Sequence, residues 1–190
     1  MDNILGEFLG TAVLIVFGCG VNANISLKKT YGYGGGWICT TAGWCFAVLF
    51  GVFTAKALGA SQTDINPAVT FAKMLAGLYT FKQFAVTTIA QVAGGIVGRV
   101  IVYLAYLSHW ADTDDSIAKR GVFCTSPAVR NITTAFITEC IATFFLVFVI
   151  WLISSKHNDP LHNWLSPYFT SMDIRIITWW SNWICYQSSS

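Results

Sequence analysis

Four long apolar blocks, almost free of charge, dominate this sequence. They cover about residues 4–21, 37–58, 81–110 and 132–154. About 20 consecutive apolar residues in a helix suffice to cross a hydrocarbon core about 30 Å thick. The first block carries one charge, Glu7. Only 11% of the 190 residues are charged, against about 25% in a soluble domain, so the chain lacks the polar surface that a soluble fold needs. That composition also excludes intrinsic disorder. The 11 Lys and Arg are scattered rather than clustered, which excludes a nucleic-acid partner. The expected fold class is an all-α polytopic membrane protein, with room for at most about five or six spans. The N-terminus has no basic region, and Asp2 and Glu7 are acidic, so no cleavable signal peptide is expected.

The six cysteines form no CxxC pair and most lie in apolar runs. They read as small buried hydrophobes rather than metal or redox groups. The fourth block repeats the first: Glu7-Phe-Leu-Gly-Thr11 aligns with Glu139-Cys-Ile-Ala-Thr143 at an offset of 132 residues. An ionisable side chain within a span costs roughly 2.5–3.5 kcal/mol on insertion scales and points to function or architecture. Snorkelling of each Glu at a span end is the plainer alternative. The duplication argues for a transporter or channel. With the N-terminus inside, Lys56, Lys73, Lys82 and Lys156 fall on the cytoplasmic side, as the positive-inside rule asks. Lys28 and Lys29 then fall outside, against the rule. Arg99 sits within the third block; it either faces the interior with a carboxylate partner or damages the span. His109, His157 and His162 are expected in solvated loops.

Between the second and third blocks lies a short apolar piece, residues 67–78, too short to span. Pro67 suits the first position of a helix and Gly77 suits its end. Ten residues rise about 15 Å, half the core thickness. Such a helix would enter the membrane and stop near its middle, which is tolerated only beside a water-filled cavity or within protein. Carbonyls of the preceding polar stretch, including Asp64 and Ile65, would line that cavity, and the Asn66 amide would offer a donor. The positive helix end would disfavour cations. An ordinary capped interfacial helix is the alternative.

Gly6-Glu7-Phe8-Leu9-Gly10-Thr11, Asp64-Ile65-Asn66-Pro67-Ala68-Val69-Thr70 and Gln91-Val92-Ala93-Gly94 occur in this order. Together they resemble the major intrinsic proteins, the aquaporins and glycerol facilitators, over about residues 4–154. The resemblance implies an aquaporin-like inverted repeat with re-entrant half-helices, a multi-pass protein of the plasma membrane, and homotetramers in the lipid bilayer. It implies passive conduction of glycerol, water or similar small neutral solutes, with no enzymatic activity, cofactor or metal. By match, Asn66-Pro67-Ala68 is the first pore motif, Glu7 and Glu139 brace the re-entrant loops with Gln91 nearby, and Trp44 resembles the filter aromatic. The family's His two residues before the asparagine is Asp64 here. Gly6/Gly10 and Gly94/Gly98 are GxxxG pairs suited to close helix packing.

The duplication predicts a second Asn-Pro-Ala about 132 residues after the first, near position 198, beyond Ser190. Residues 155–190 mix Trp and polar residues without period. Read one nucleotide later, Trp179-Trp180 forces a glycine pair and Asn182-Trp183-Ile184 another glycine. The remaining codons permit a second Asn-Pro-Ala motif. A frameshift between about residues 155 and 165 is therefore expected, dividing the chain into a membrane domain, 1–154, and an aberrant tail, 155–190, with impaired transport. The competing reading is a non-conducting membrane fragment. A membrane-embedded enzyme is disfavoured, because no paired catalytic carboxylate, metal spacing or nucleophile–base set is present.

Overall fold

The computed structural model describes residues 4–124 and 131–154. The expected tail and frameshift lie outside the described residues, as do His157 and His162. Two compact units divide the chain, residues 1–125 and 126–190. All elements described are helical: α1 (Ile4–Ser26), α2 (Gly36–Ala57), α3 (Pro67–Leu75), α4 (Phe81–Ala105), α5 (Leu107–Asp112) and α6 (Ser116–Gly121) in the first unit, and α7 (Ile132–Ser154) in the second.

Helices α1, α2 and α4 are long and apolar enough to cross a membrane. Helix α7 has 23 residues, with its apolar stretch over Ile132–Phe148 among the described residues. In the first unit α1 is central and packs on both α2 and α4. The reason is the absence of side chains where the backbones meet. A Cβ on Gly10 would stand 2.8 Å from the Gly51 carbonyl oxygen, and one on Gly51 would stand 2.9 Å from that of Gly10. On the other side of α1, a Cβ on Gly98 would stand 2.7 Å from the Ala12 carbonyl oxygen, and Gly94 lies against the Phe8 carbonyl. Without a hydrophobic force between helices in lipid, such close contact supplies the dispersion energy that holds them.

Three boundaries differ from the expected blocks. Helix α1 runs on to Ser26, because neither Gly nor Pro intervenes after Val21; Thr30 Oγ1 then donates to the Asn24 and Leu27 carbonyls at 2.6 and 2.9 Å and closes the helix. The third block is two helices, broken at Tyr106. There Trp110 folds back and its Nε1 donates to the Tyr103 carbonyl at 3.0 Å, satisfying a carbonyl in the last turn of α4. The half-helix stops at Leu75. Gly77 takes φ of 79°, and the amides of Gly77 and Leu78 donate to the Met74 and Lys73 carbonyls at 3.0 Å each. This is a Schellman closure, which needs a left-handed residue and so favours glycine.

At the far end of α1, helices α5 and α6 form a small cap. Leu27, Val122, Val102, Cys19 and Ala23 make its buried apolar centre. Thr113 Oγ1 accepts from the Lys28 amide at 2.9 Å. Lys28 and Lys29, which oppose the positive-inside rule, pair with Asp114 at 3.1 Å and Asp112 at 3.0 Å. His109 lies on α5 rather than in a loop, with Nδ1 3.1 Å from the Lys28 carbonyl oxygen.

Burial corrects one further expectation and bears on an open alternative. Of the described cysteines only Cys19 is buried; Cys39, Cys124 and Cys140 are exposed. In a helix bundle whose surroundings are apolar, an apolar position need not face inward. Arg99 is exposed on α4 and makes no ion pair among the described residues, so the interior carboxylate partner is not found there.

Candidate functional site

The site is a loop and the half-helix that follows it. Helix α2 ends in a second Schellman closure: Gly59 has φ of 81°, and the Ala60 amide donates to the Ala55 carbonyl at 3.0 Å. The chain then turns back into the bundle as an irregular segment and restarts as α3 at Pro67. Nine residues rise about 14 Å, less than half of the hydrocarbon core.

Asn66 is the N-cap of α3, with extended φ of −149°. Its Oδ1 accepts from the Ala68 amide at 2.9 Å. Pro67 has no amide proton, so the first donor that the helix must satisfy is Ala68. With the oxygen so occupied, Asn66 Nδ2 remains as the donor end of the side chain, and it donates to no described residue. Asn66 is half-buried. The half-helix N-terminus adds a partial positive charge at the same point.

Thr63 and Ile65, before Asn66, have φ of 36° and 44°. For β-branched residues this left-handed region is strained, so something must hold them. Glu7 does. Its Oε1 accepts from the Asp64 amide and its Oε2 from the Ile65 amide, both at 2.7 Å. Gln91 Nε2 donates to Glu7 Oε2 at 2.9 Å and to Thr70 Oγ1 at 3.0 Å. Thr70 Oγ1 in turn donates to the Asn66 carbonyl at 3.1 Å. Glu7 and Thr70 are 0% exposed and Gln91 is 1%. One network thus runs from α1 through α4 and α3 to the residue that presents the amide.

Sequence-predicted Glu7, Gln91, Asp64, Ile65, Asn66 and Ala68 all meet in this network, and Pro67 opens the helix that it holds. Trp44 does not. Its ring lies against Gly18 and its Nε1 donates to Asn22 Oδ1 at 3.0 Å. Gly18 and Asn22 are 11 and 15 residues beyond Glu7 on α1, or about 16–22 Å along its axis. Glu139 lies on α7 in the second unit and is exposed. Sequence reading missed Lys73, which bonds the Asp64 side chain, and Thr70. A carboxylate in an apolar setting calls for a cation, and Lys73, nine residues on within the short helix, was the signal.

Membrane-length helices packed through glycines, with a half-helix led by a self-capped Asn-Pro-Ala and braced by a buried Glu, define a re-entrant-loop membrane protein. The major intrinsic protein family model matches residues 1–181. A probable glycerol uptake facilitator of Thermotoga maritima is 42% identical over 163 residues, 85% of this chain and 69% of the relative. The glycerol uptake facilitator of Bacillus subtilis is 41% identical over 156 residues, 82% of this chain and 56% of the relative. A D/L-lactic acid transporter of Lactiplantibacillus plantarum is 36% identical over 157 residues, 81% and 64%. The chain thus spans 56–69% of the length of these relatives. Among solved structures, the aquaglyceroporin from Plasmodium falciparum superposes with a TM-score of 0.76 at 25% identity, covering 100% of this chain and 73% of that one. The chain belongs to the major intrinsic protein family.

Proposed function

We propose that the protein is a channel for passive movement of glycerol, water or similar small neutral solutes across the plasma membrane. The observation that carries this reading is Asn66. Its oxygen is committed to Ala68, so it can present only a hydrogen-bond donor, next to a helix end that repels cations. A neutral hydroxylic solute supplies the matching acceptor without a charge to repel. Glu7 and Gln91 brace the loop, and the chemistry is transport without a catalytic step or cofactor. Family kinship supports the same solutes, since two relatives are named for glycerol uptake.

In this reading Trp44 contributes an aromatic wall to a filter, and its anchoring by Asn22 fixes the indole orientation. Glu139, equivalent to Glu7 by internal repeat, stands where the family's second loop would be braced, the loop that carries the second Asn-Pro-Ala expected beyond Ser190. The working unit is a homotetramer in the bilayer, with the N-terminus cytoplasmic. Pairing of Lys28 and Lys29 with aspartates eases their placement on the outer side.

Proteoliposomes containing the full chain, shrunk by a glycerol gradient and followed by light scattering, test the proposal. Glycerol entry above the protein-free background, lost in Asn66→Ala, is expected. Entry at the lipid background would leave the non-conducting fragment as the better reading.

A further inference from the structure

Asp64 carries a second set of contacts that the brace by Glu7 does not explain. Its backbone amide is held by Glu7, but its side chain, 0% exposed, is paired with Lys73 Nζ. Lys73 Nζ also donates to Gln62 Oε1 at 2.9 Å. The other carboxylate oxygen, Asp64 Oδ2, is buried with no hydrogen-bond partner among the described residues. Glu7, a second carboxyl group, lies close enough to interact electrostatically. Lys73 is the cation paired with Asp64 among the described residues. It lies in the last turn of α3, the far end of the half-helix that Asn66 begins. Lys73 therefore ties the end of α3 back to the loop that precedes its start, across two left-handed residues.

We infer that Asp64 and Lys73 are a positioning pair, which holds the strained loop 59–66 on the half-helix and so fixes where Asn66 points. Neither side chain touches solute in this assignment. The pair acts by charge neutralisation inside the protein. Removing Lys73 leaves an uncompensated buried carboxylate, which must take up a proton or carry the loop out toward water; either way Asp64 loses its hold on the end of α3. Removing Asp64 is milder, because the Lys73 side chain is 18% exposed and can extend into solvent. Removing both charges leaves nothing to relieve. The loss from Lys73→Met should thus be reversed by a second loss at Asp64, a sign that packing alone does not produce. This inference rests on the channel reading for its transport consequence, but the conformational consequence stands independently.

The test uses the full chain in lipid nanodiscs and in proteoliposomes, as wild type, Lys73→Met, Asp64→Asn, Lys73→Met/Asp64→Asn and Lys73→Arg. Deuterium uptake by a peptide covering 59–66 reads loop position, and glycerol permeability reads transport. Lys73→Met should raise loop exchange and lower permeability at least tenfold, Asp64→Asn about threefold. The double variant and Lys73→Arg should fall within threefold of wild type in both. If Lys73→Met gives no folded protein, recovery of folded yield on adding Asp64→Asn supports the pair, and no recovery overturns it. Additive single losses also overturn it. If wild type carries no solute, the proposed function fails while the exchange data alone decide the positioning pair.

Discussion

Glu7→Gln is the most informative single change, because it keeps side-chain length and removes only an acceptor and a charge. Glu7 accepts three N–H donors, two at 2.7 Å and one at 2.9 Å, and is fully buried. A glutamine offers one carbonyl oxygen, and its other end is an NH₂ that faces a donor. With the oxygen on the Oε2 side, the Asp64 amide is orphaned; with it on the Oε1 side, the Ile65 amide and Gln91 are orphaned. One buried donor left unmade costs about 1–3 kcal/mol. The bonds that survive lose their charge assistance, about 1 kcal/mol each. Against this, a neutral amide is easier to bury than a carboxylate. The net loss is about 2–3 kcal/mol of loop stability, or about a 30- to 150-fold rise in the open population. Deuterium exchange of a peptide covering 59–66 in nanodiscs should rise by that factor, while peptides from the α5–α6 cap should not change. Glycerol flux should fall in parallel. Exchange of 59–66 that stays at the wild-type rate, or that rises equally throughout the chain, would refute the brace.

The remaining predictions concern packing and insertion. Gly10→Val should abolish folded yield in detergent, since even its Cβ would meet the Gly51 carbonyl at 2.8 Å, whereas Gly20→Ala, with nothing within 4 Å of its added carbon, should be neutral or stabilising by up to about 1 kcal/mol; size-exclusion profiles and thermal melts check both. Arg99→Leu should improve insertion of α4 in a glycosylation-mapping assay, by less than the about 2.5–3.5 kcal/mol of a mid-span arginine, because six residues before the end of α4 it can snorkel. Thr113→Val should lower the melting temperature by the equivalent of about 1–2 kcal/mol, as buried Thr113 accepts from Lys28 and donates to His109. Asp114→Asn, at an exposed pair, should change it by less than about 0.5 kcal/mol.

What could be read in the sequence follows from how local each signal is. Apolar length alone set the long helices, and the start of α3 was legible because proline and a capping asparagine act within a few residues. Its end was placed three residues late, since Gly77 marks the closure and not the last helical residue. The break at Tyr106 was invisible, as it depends on Trp110 folding back across a turn. The pairing of Glu7 with the loop came from family resemblance; the residues themselves gave only a carboxyl group in an apolar span. A lysine near a span end is usually a topology signal, and only the fold places Lys73 against Asp64.

The strain in the loop and the cost of its buried charges answer to one arrangement. With Thr63 and Ile65 left-handed, two successive amides, those of Asp64 and Ile65, meet the same carboxyl group, which an extended segment, whose successive amides point to opposite sides, could not do. The strain is therefore the condition for Glu7 to bind both amides, and Glu7 in turn keeps the strained conformation from relaxing. Gln91 and Thr70 carry the constraint to the Asn66 carbonyl, and Ala68 fixes the Asn66 oxygen. Each rotation that could turn the Asn66 amide away from its donor orientation breaks at least one of these bonds. Rigidity at Asn66 is thus distributed over α1, α3 and α4, and a change in any of the three helices that shifts Glu7, Thr70 or Gln91 should be felt at the amide before it is felt in the packing of the bundle.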